Sequence, residues 1–174
     1  MDNNRHWVGT WTTSPAPSAS GVGFNNHTLR MNLRVSIGGD TLKVRLSNAY
    51  GNGKLLISSA YVGIRDNGPA IVPDSERKLT FGGSGSATIA AGALVVSDPV
   101  KLNVEPLADL SVTFYLPGEI PTGFQITGRY ARQTKYISPP GDFSAETVMP
   151  VGTITDEWLI VLSHINISIK RRAH

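Results

Sequence analysis

The chain has 174 residues, 40% of them hydrophobic and 17% charged, with 18 glycines, 11 prolines and no cysteine. That length supports one sizeable core and a single domain, the glycine and proline content suits a turn-rich all-β protein, and the lack of cysteine excludes disulfides, thiolate metal sites and cysteine nucleophiles. A net charge of only +3 with no basic stripe interleaved by aromatics argues against nucleic-acid binding, no apolar run is long enough to span a membrane, and four scattered histidines suggest no metal or other cofactor.

The opening "MDNNRHWVGTW" is polar and lacks the apolar segment of a signal peptide. Trp7, Gly9 and Trp11 alternate with Val8 and Thr10, which predicts a short strand. "SPAPSASGVG" then breaks it into a loop of about a dozen residues. "RMNLRVSIGGDTLKVRLSN", Arg30 to Asn48, reads as a β-hairpin. Leu29, Met31, Leu33, Val35 and Ile37 alternate with polar residues on one arm, and Leu42, Val44 and Leu46 on the other. Gly39-Asp40 fits a type II′ turn. That register pairs Val35 with Val44 and sets Asn32 opposite Ser47 and Arg34 opposite Arg45. Like charges directly opposite on one face are mildly destabilising, so the face is either solvated or a contact surface for something acidic.

"AYGNGKLL" supplies a turn at Asn52-Gly53, and "LLISSAYVGIRD" a strand with Leu56, Ala60, Val62 and Ile64 inward. "LTFGGSGSATIAAGALVVSDPVKLNV" reads as short strands broken by turns. In "ADLSVTFYLPG" the inner row is Leu110, Val112, Phe114 and Leu116, and Pro117-Gly118 ends the strand. "GFQITGRYARQTKYIS" gives one or two short strands, and "EWLIVLSHINISIK" a central strand buried on both faces. The sum is an antiparallel two-sheet β-sandwich, jelly-roll or galactose-binding-like, with a closed barrel as the alternative.

Catalytic signals are sparse. The nucleophile elbow G-x-S-x-G is absent, and "GGSGSA" reads as a turn. "GGDT" at Gly38 to Thr41 is explained by the hairpin. Asp98, Asp109, Asp142 and Asp156 each suit turn or cap hydrogen bonding. His27 and His164 are potential bases only where a serine converges on them. The aromatic residues Trp7, Trp11, Tyr50, Tyr61, Tyr115, Tyr130 and Tyr136 offer flat surfaces for a ligand, with core packing as their ordinary role.

Taken together and in order, "WVGTWTTSPAP", "TLRMNLRVSIGGDTLKVRLSNAYG", "AIVPDSERKLTFGGSGSATIAAGALVVSDPVKL", "LADLSVTFYLPG" and "EWLIVLSHINI" resemble the N-terminal β-domain of two-domain SGNH/GDSL-type ester hydrolases. The likeness spans residues 7–167, with 168–174 as a basic tail. It implies a jelly-roll-like accessory domain beside an α/β catalytic domain. The family's Gly-Asp-Ser block and D-x-x-H pair do not occur in this sequence, so no catalytic residue is carried over. "RLSN" (Arg45 to Asn48) and "GTW" (Gly9 to Trp11) match the family's most recognisable strings. The expected function is therefore that of an accessory domain, with Asn32, Arg34, Arg45, Ser47, Asn48 and Trp11 as binding or interface residues. Its expected partners are a catalytic SGNH domain, a second copy in a homodimer, and a carbohydrate or ester ligand. The alternative is a small stand-alone carboxylesterase with a serine activated by His164 or His27.

Overall fold

The computed structural model describes residues 5–13, 23–120, 127–128, 133–155, 158–159 and 161–170. In chain order the strands are β1 (Arg5–Thr12), β2 (Phe24–Arg34), β3 (Gly39–Ser47), β4 (Leu55–Ile57) and β5 (Ser59–Ile64). Then come β6 (Arg77–Lys78), β7 (Ala87–Ile89), β8 (Leu94–Val96), β9 (Val100–Val104) and β10 (Asp109–Ile120). The last are β11 (Thr127–Gly128), β12 (Lys135–Pro140), β13 (Thr153–Thr155), β14 (Trp158–Leu159) and β15 (Val161–Lys170).

Two antiparallel sheets form a β-sandwich. One has the order β1-β15-β3-β8, with β9 also paired to β3; the other runs β13-β12-β2-β10-β5-β6. The alternating apolar rows of the sequence meet between them. Leu29, Met31 and Leu33 of β2, Leu110, Val112 and Phe114 of β10, Leu42, Val44 and Leu46 of β3, and Ile165 and Ile167 of β15 are all buried in one core. Each such side chain contributes about 1.5–3 kcal/mol relative to exposure.

The hairpin does not form. β2 lies between β10 and β12 in one sheet, while β3 lies between β15 and the β8/β9 edge in the other. Residues 35–38 carry the chain from one sheet to the other. Thr10 holds this crossover: its hydroxyl donates to the Ile37 carbonyl (2.9 Å) and accepts from the amides of Ser36 (3.1 Å) and Ile37 (3.0 Å). Gly39 does not have the positive φ that a type II′ turn needs. The glycines are there for close approach: a Cβ on Gly38 would lie 2.3 Å from the Val104 carbonyl oxygen, and one on Gly39 2.6 Å from that of Ser168. Arg34 and Arg45 consequently stand in different sheets and do not face each other.

Smaller departures concern strand phase and strand ends. "LLISSAYVGI" is two strands rather than one, so Leu55 and Ile57 are buried and Leu56 is exposed. Pro117-Gly118 is passed within β10 by an irregularity between Leu116 and Glu119, rather than ending the strand. β15 is central, yet over residues 163–169 one face carries Ile165, Ile167 and Ile169 and the other His164, Asn166 and Ser168, with His164 and Asn166 partly exposed. It runs to Lys170, so Ser168, Ile169 and Lys170 are strand residues and not a tail. Residues 171–174, most of "SPAPSASGVG", Tyr130 and Asp156 lie outside the described residues.

The outer face of the six-stranded sheet is covered by the chain's own loops. Arg30 is fully buried there. Its Nε donates to the Thr113 hydroxyl (2.8 Å), its Nη1 to the carbonyls of Pro69 and Thr147, and its Nη2 to that of Glu146. Burial lowers its guanidinium to about 10, against the raising influence of Glu76 and Glu146. The cation thereby pins the segments around Pro69 and Thr147 onto the sheet, where Ile71 and Met149 are buried.

Candidate functional site

The six residues singled out from sequence are not gathered into one site. On the six-stranded sheet Asn32 is fully buried, and its Oδ1 accepts from the Ser111 hydroxyl (2.7 Å). Arg34 is exposed and grips Asp109, directly opposite on β10, through Nε (2.9 Å) and Nη2 (3.1 Å). Asp109 holds the Arg34 guanidinium above its usual range. The charge that sequence analysis left unanswered at Arg34 is thus answered within the fold, and Asp109 is an ion-pair partner rather than a turn cap.

"RLSN" is mainly a structural device. Asn48 is buried, with Nδ2 within hydrogen-bond distance of the carbonyls of Gly53 (2.8 Å), Ile89 (3.0 Å) and Ala90 (3.1 Å). Its own carbonyl accepts from the amides of Gly51 and Gly92. One side chain therefore pins two turns to the end of β3. The buried Ser47 hydroxyl accepts from the Ala49 amide (3.2 Å), closing the same corner. Trp11 is partly buried and packs against the core, because the register shift between Gly9 and Trp11 turns it inward. Arg45 is the exception. Its Nε donates to the Ser163 hydroxyl (3.2 Å), which in turn donates to the Arg45 carbonyl (3.1 Å). No carboxylate among the described residues pairs with it.

The outer face of the β1-β15-β3 sheet keeps Thr41, Lys43, Arg45, His164 and Asn166 partly exposed, and the strand registers order it in rows. Thr12, His164, Arg45 and Val96 form one; Gly9, Asn166 and Lys43 the next; Trp7, Ser168, Thr41 and Lys101 the third. Trp7 keeps 42% of its surface open, and Lys43 Nζ lies 4.6 Å from its ring centroid, a cation–π contact. His164 Nε2 is 3.0 Å from Asn166 Oδ1, so the ring donates there to the amide oxygen. The imidazole lies over Gly9, where a Cβ would come within 3.0 Å of Nε2.

The face is polarised along β3. At the Arg45 end, β8 presents Leu94 (55% exposed) and Val96 (40%), with Tyr50 (49%) on the adjoining turn. At the Thr41 end an open groove of about 560 Å³ is lined by Arg5, Asp40, Thr41, Arg77, Lys101 and Asn103. Both tryptophans belong to the aromatic set that offers ligand surfaces, and Trp11 alone is among the six candidates, through the "GTW" string; strict alternation puts the two on one face, and the bulge that separates them cannot be read from the residues. Lys43, Lys101 and Arg77 were passed over because ordinary surface cations have the same sequence signature.

Among the described residues neither His27 nor His164 is bonded to a serine hydroxyl. His27 Nδ1 accepts from the Asn25 amide (3.1 Å), and Ser163 is engaged with Arg45. Thr41, in the "GGDT" string, donates to Asp40 (2.9 Å). No group of three or more metal-ligating side chains occurs among them either. Compared with known proteins, the chain matches no family model and no curated protein.

Proposed function

We propose that the chain is a non-catalytic accessory β-sandwich of an SGNH/GDSL-type ester hydrolase, which packs on a catalytic domain through the Arg45 end of its open face. The lineage rests on the sequence resemblance. The observation that carries the mode of action is the asymmetry between the two outer faces. The chain's own loops close one, pinned by Arg30, while the other ends in exposed Leu94, Val96 and Tyr50 beside Arg45. An apolar patch with an arginine at its margin has the composition of a protein interface core. A hydrolase site instead needs a nucleophile bonded to a base, and no hydrogen bond joins a described serine to His27 or His164.

The test is an assay of the purified chain on a short-chain aryl ester together with a serine-directed organophosphonate probe. The expected result is background turnover and no labelling. Stoichiometric labelling of one serine, blocked by an esterase inhibitor, overturns the proposal and makes the chain an esterase in its own right.

A further inference from the structure

At the opposite end of the open face, the groove between β3, β6 and β9 holds more positive charge than carboxylates among the described residues answer. Among the described residues that line it, Asp40 is the one acid. That carboxylate is already engaged by the two terminal nitrogens of Arg5 and by the Thr41 hydroxyl (2.9 Å). Arg77 and Lys101 have no carboxylate partner among the described residues. Arg77 is nonetheless held in place: its Nε donates to the Lys101 carbonyl (3.2 Å), and its Nη1 to the carbonyls of Asp74 (2.7 Å) and Glu76 (2.9 Å). Three neutral acceptors orient the guanidinium without neutralising it and leave Nη2 for another acceptor. Nη2, held in this way on a guanidinium that keeps its charge, is oriented to donate to a carboxylate or another anion.

The groove also continues onto an aromatic platform. Lys101 stands opposite Thr41, Thr41 opposite Ser168, and Ser168 opposite Trp7. Three strand spacings of about 4.8 Å each separate the lysine from the indole. Thr41, whose hydroxyl donates to Asp40, and the largely buried Ser168 occupy the interval, and Lys43 Nζ lies over the Trp7 ring. The order is cation, polar hydroxyls, exposed aromatic, cation. A ligand that matches it carries carboxylates on a scaffold with both hydroxyls and an apolar ring face. A nucleic acid is the poorer match, because its affinity comes from many phosphates met by a basic tract and its bases need several stacking surfaces.

We propose that this strip, from Arg77 and Lys101 to Trp7, binds an acidic oligosaccharide, with sugar carboxylates on the two cations and a ring face on the indole. The inference goes beyond the accessory-domain reading and holds whether or not the chain itself acts on esters.

The experiment is a titration of the full chain with a short oligogalacturonate, its methyl-esterified form, inorganic phosphate and single-stranded DNA, read by tryptophan fluorescence and calorimetry. Saturable, salt-sensitive binding of the free acid alone is expected. Lys101→Gln, at an exposed side chain, should weaken it about tenfold with an unchanged melting temperature. Trp7→Ala should weaken it and remove the fluorescence change. No binding at millimolar concentration, equal binding of the esterified form, tighter binding of phosphate or DNA, or full affinity in Lys101→Gln each overturns the proposal.

Discussion

Arg30 shows how little a residue type reveals of its surroundings. By alternation it belongs to the outward row of β2, and an arginine there reads as solvated. It is instead fully buried and supplies hydrogen bonds to three loop carbonyls. Arg30→Met would orphan those acceptors as well as the Thr113 hydroxyl, so a loss of about 3 kcal/mol or more is expected in urea unfolding. Asp98 carries the opposite lesson, since its turn role was legible from its place beside "SDP". It accepts from the Thr80 hydroxyl (2.7 Å) and from the amides of Gly82 (3.1 Å) and Gly83 (2.8 Å). These bonds, that of Thr80 foremost, hold its carboxyl below the usual range. A depressed folded value means that the stabilisation is complete above the unfolded pKa of about 3.9 and disappears as pH falls through the folded one. In melts taken across that acid range, the wild type should lose stability more steeply than Asp98→Asn, whose curve starts lower and runs flatter.

At the level of elements, the apolar rows of β2, β3 and β10 were all readable, and all are buried. Partners were not. A hairpin and a sheet-to-sheet crossover present the same alternation, because in both the two strands turn their apolar faces to a shared interior. What distinguishes them is the fit of residues 35–38 against Thr10 and β9, which involves segments far apart in sequence. Gly38 lacks a positive φ but has backbone atoms 2.3–2.8 Å from where its Cβ would be. Gly82 has φ +61° and open space around it. Gly38→Ala should therefore cost more than about 2 kcal/mol and Gly82→Ala about 1 kcal/mol, both by chemical denaturation. The reverse order would mean that close approach to β9 does not hold Gly38. A second element-level test concerns the corner after β3. A Cβ on Gly51 would lie 1.8 Å from Asn48 Oδ1, and that side chain cannot swing away without releasing its carbonyls. Asn48→Ala should cost about 3 kcal/mol, and Gly51→Ala should be less damaging in the Asn48→Ala background than in the wild type. Additivity in that double-mutant cycle would mean the two residues do not interact.

For the whole molecule, the two sheets are alike inside and unlike outside. One outer face is sealed by loops, and the other is open, apolar near Leu94 and Val96 and basic near Lys101. On the proposed reading, the apolar end left uncovered in the isolated chain pairs with a second copy. Sedimentation should show a concentration-dependent dimer, and Leu94→Glu with Val96→Glu should return it to monomer. A wild-type chain that remains monomeric at high concentration contradicts this. The sequence by itself determined the all-β class and most of the inward rows, because period-two alternation is a local property of the strand and follows directly from side-chain geometry. Only the tertiary structure decided which strands pair, that Arg34 meets Asp109 while Arg45 meets no acid among the described residues, that a bulge turns Trp11 inward and leaves Trp7 outward, and which face stays the more exposed. Those outcomes depend on contacts between residues distant in the chain, and the same local pattern is compatible with more than one set of them.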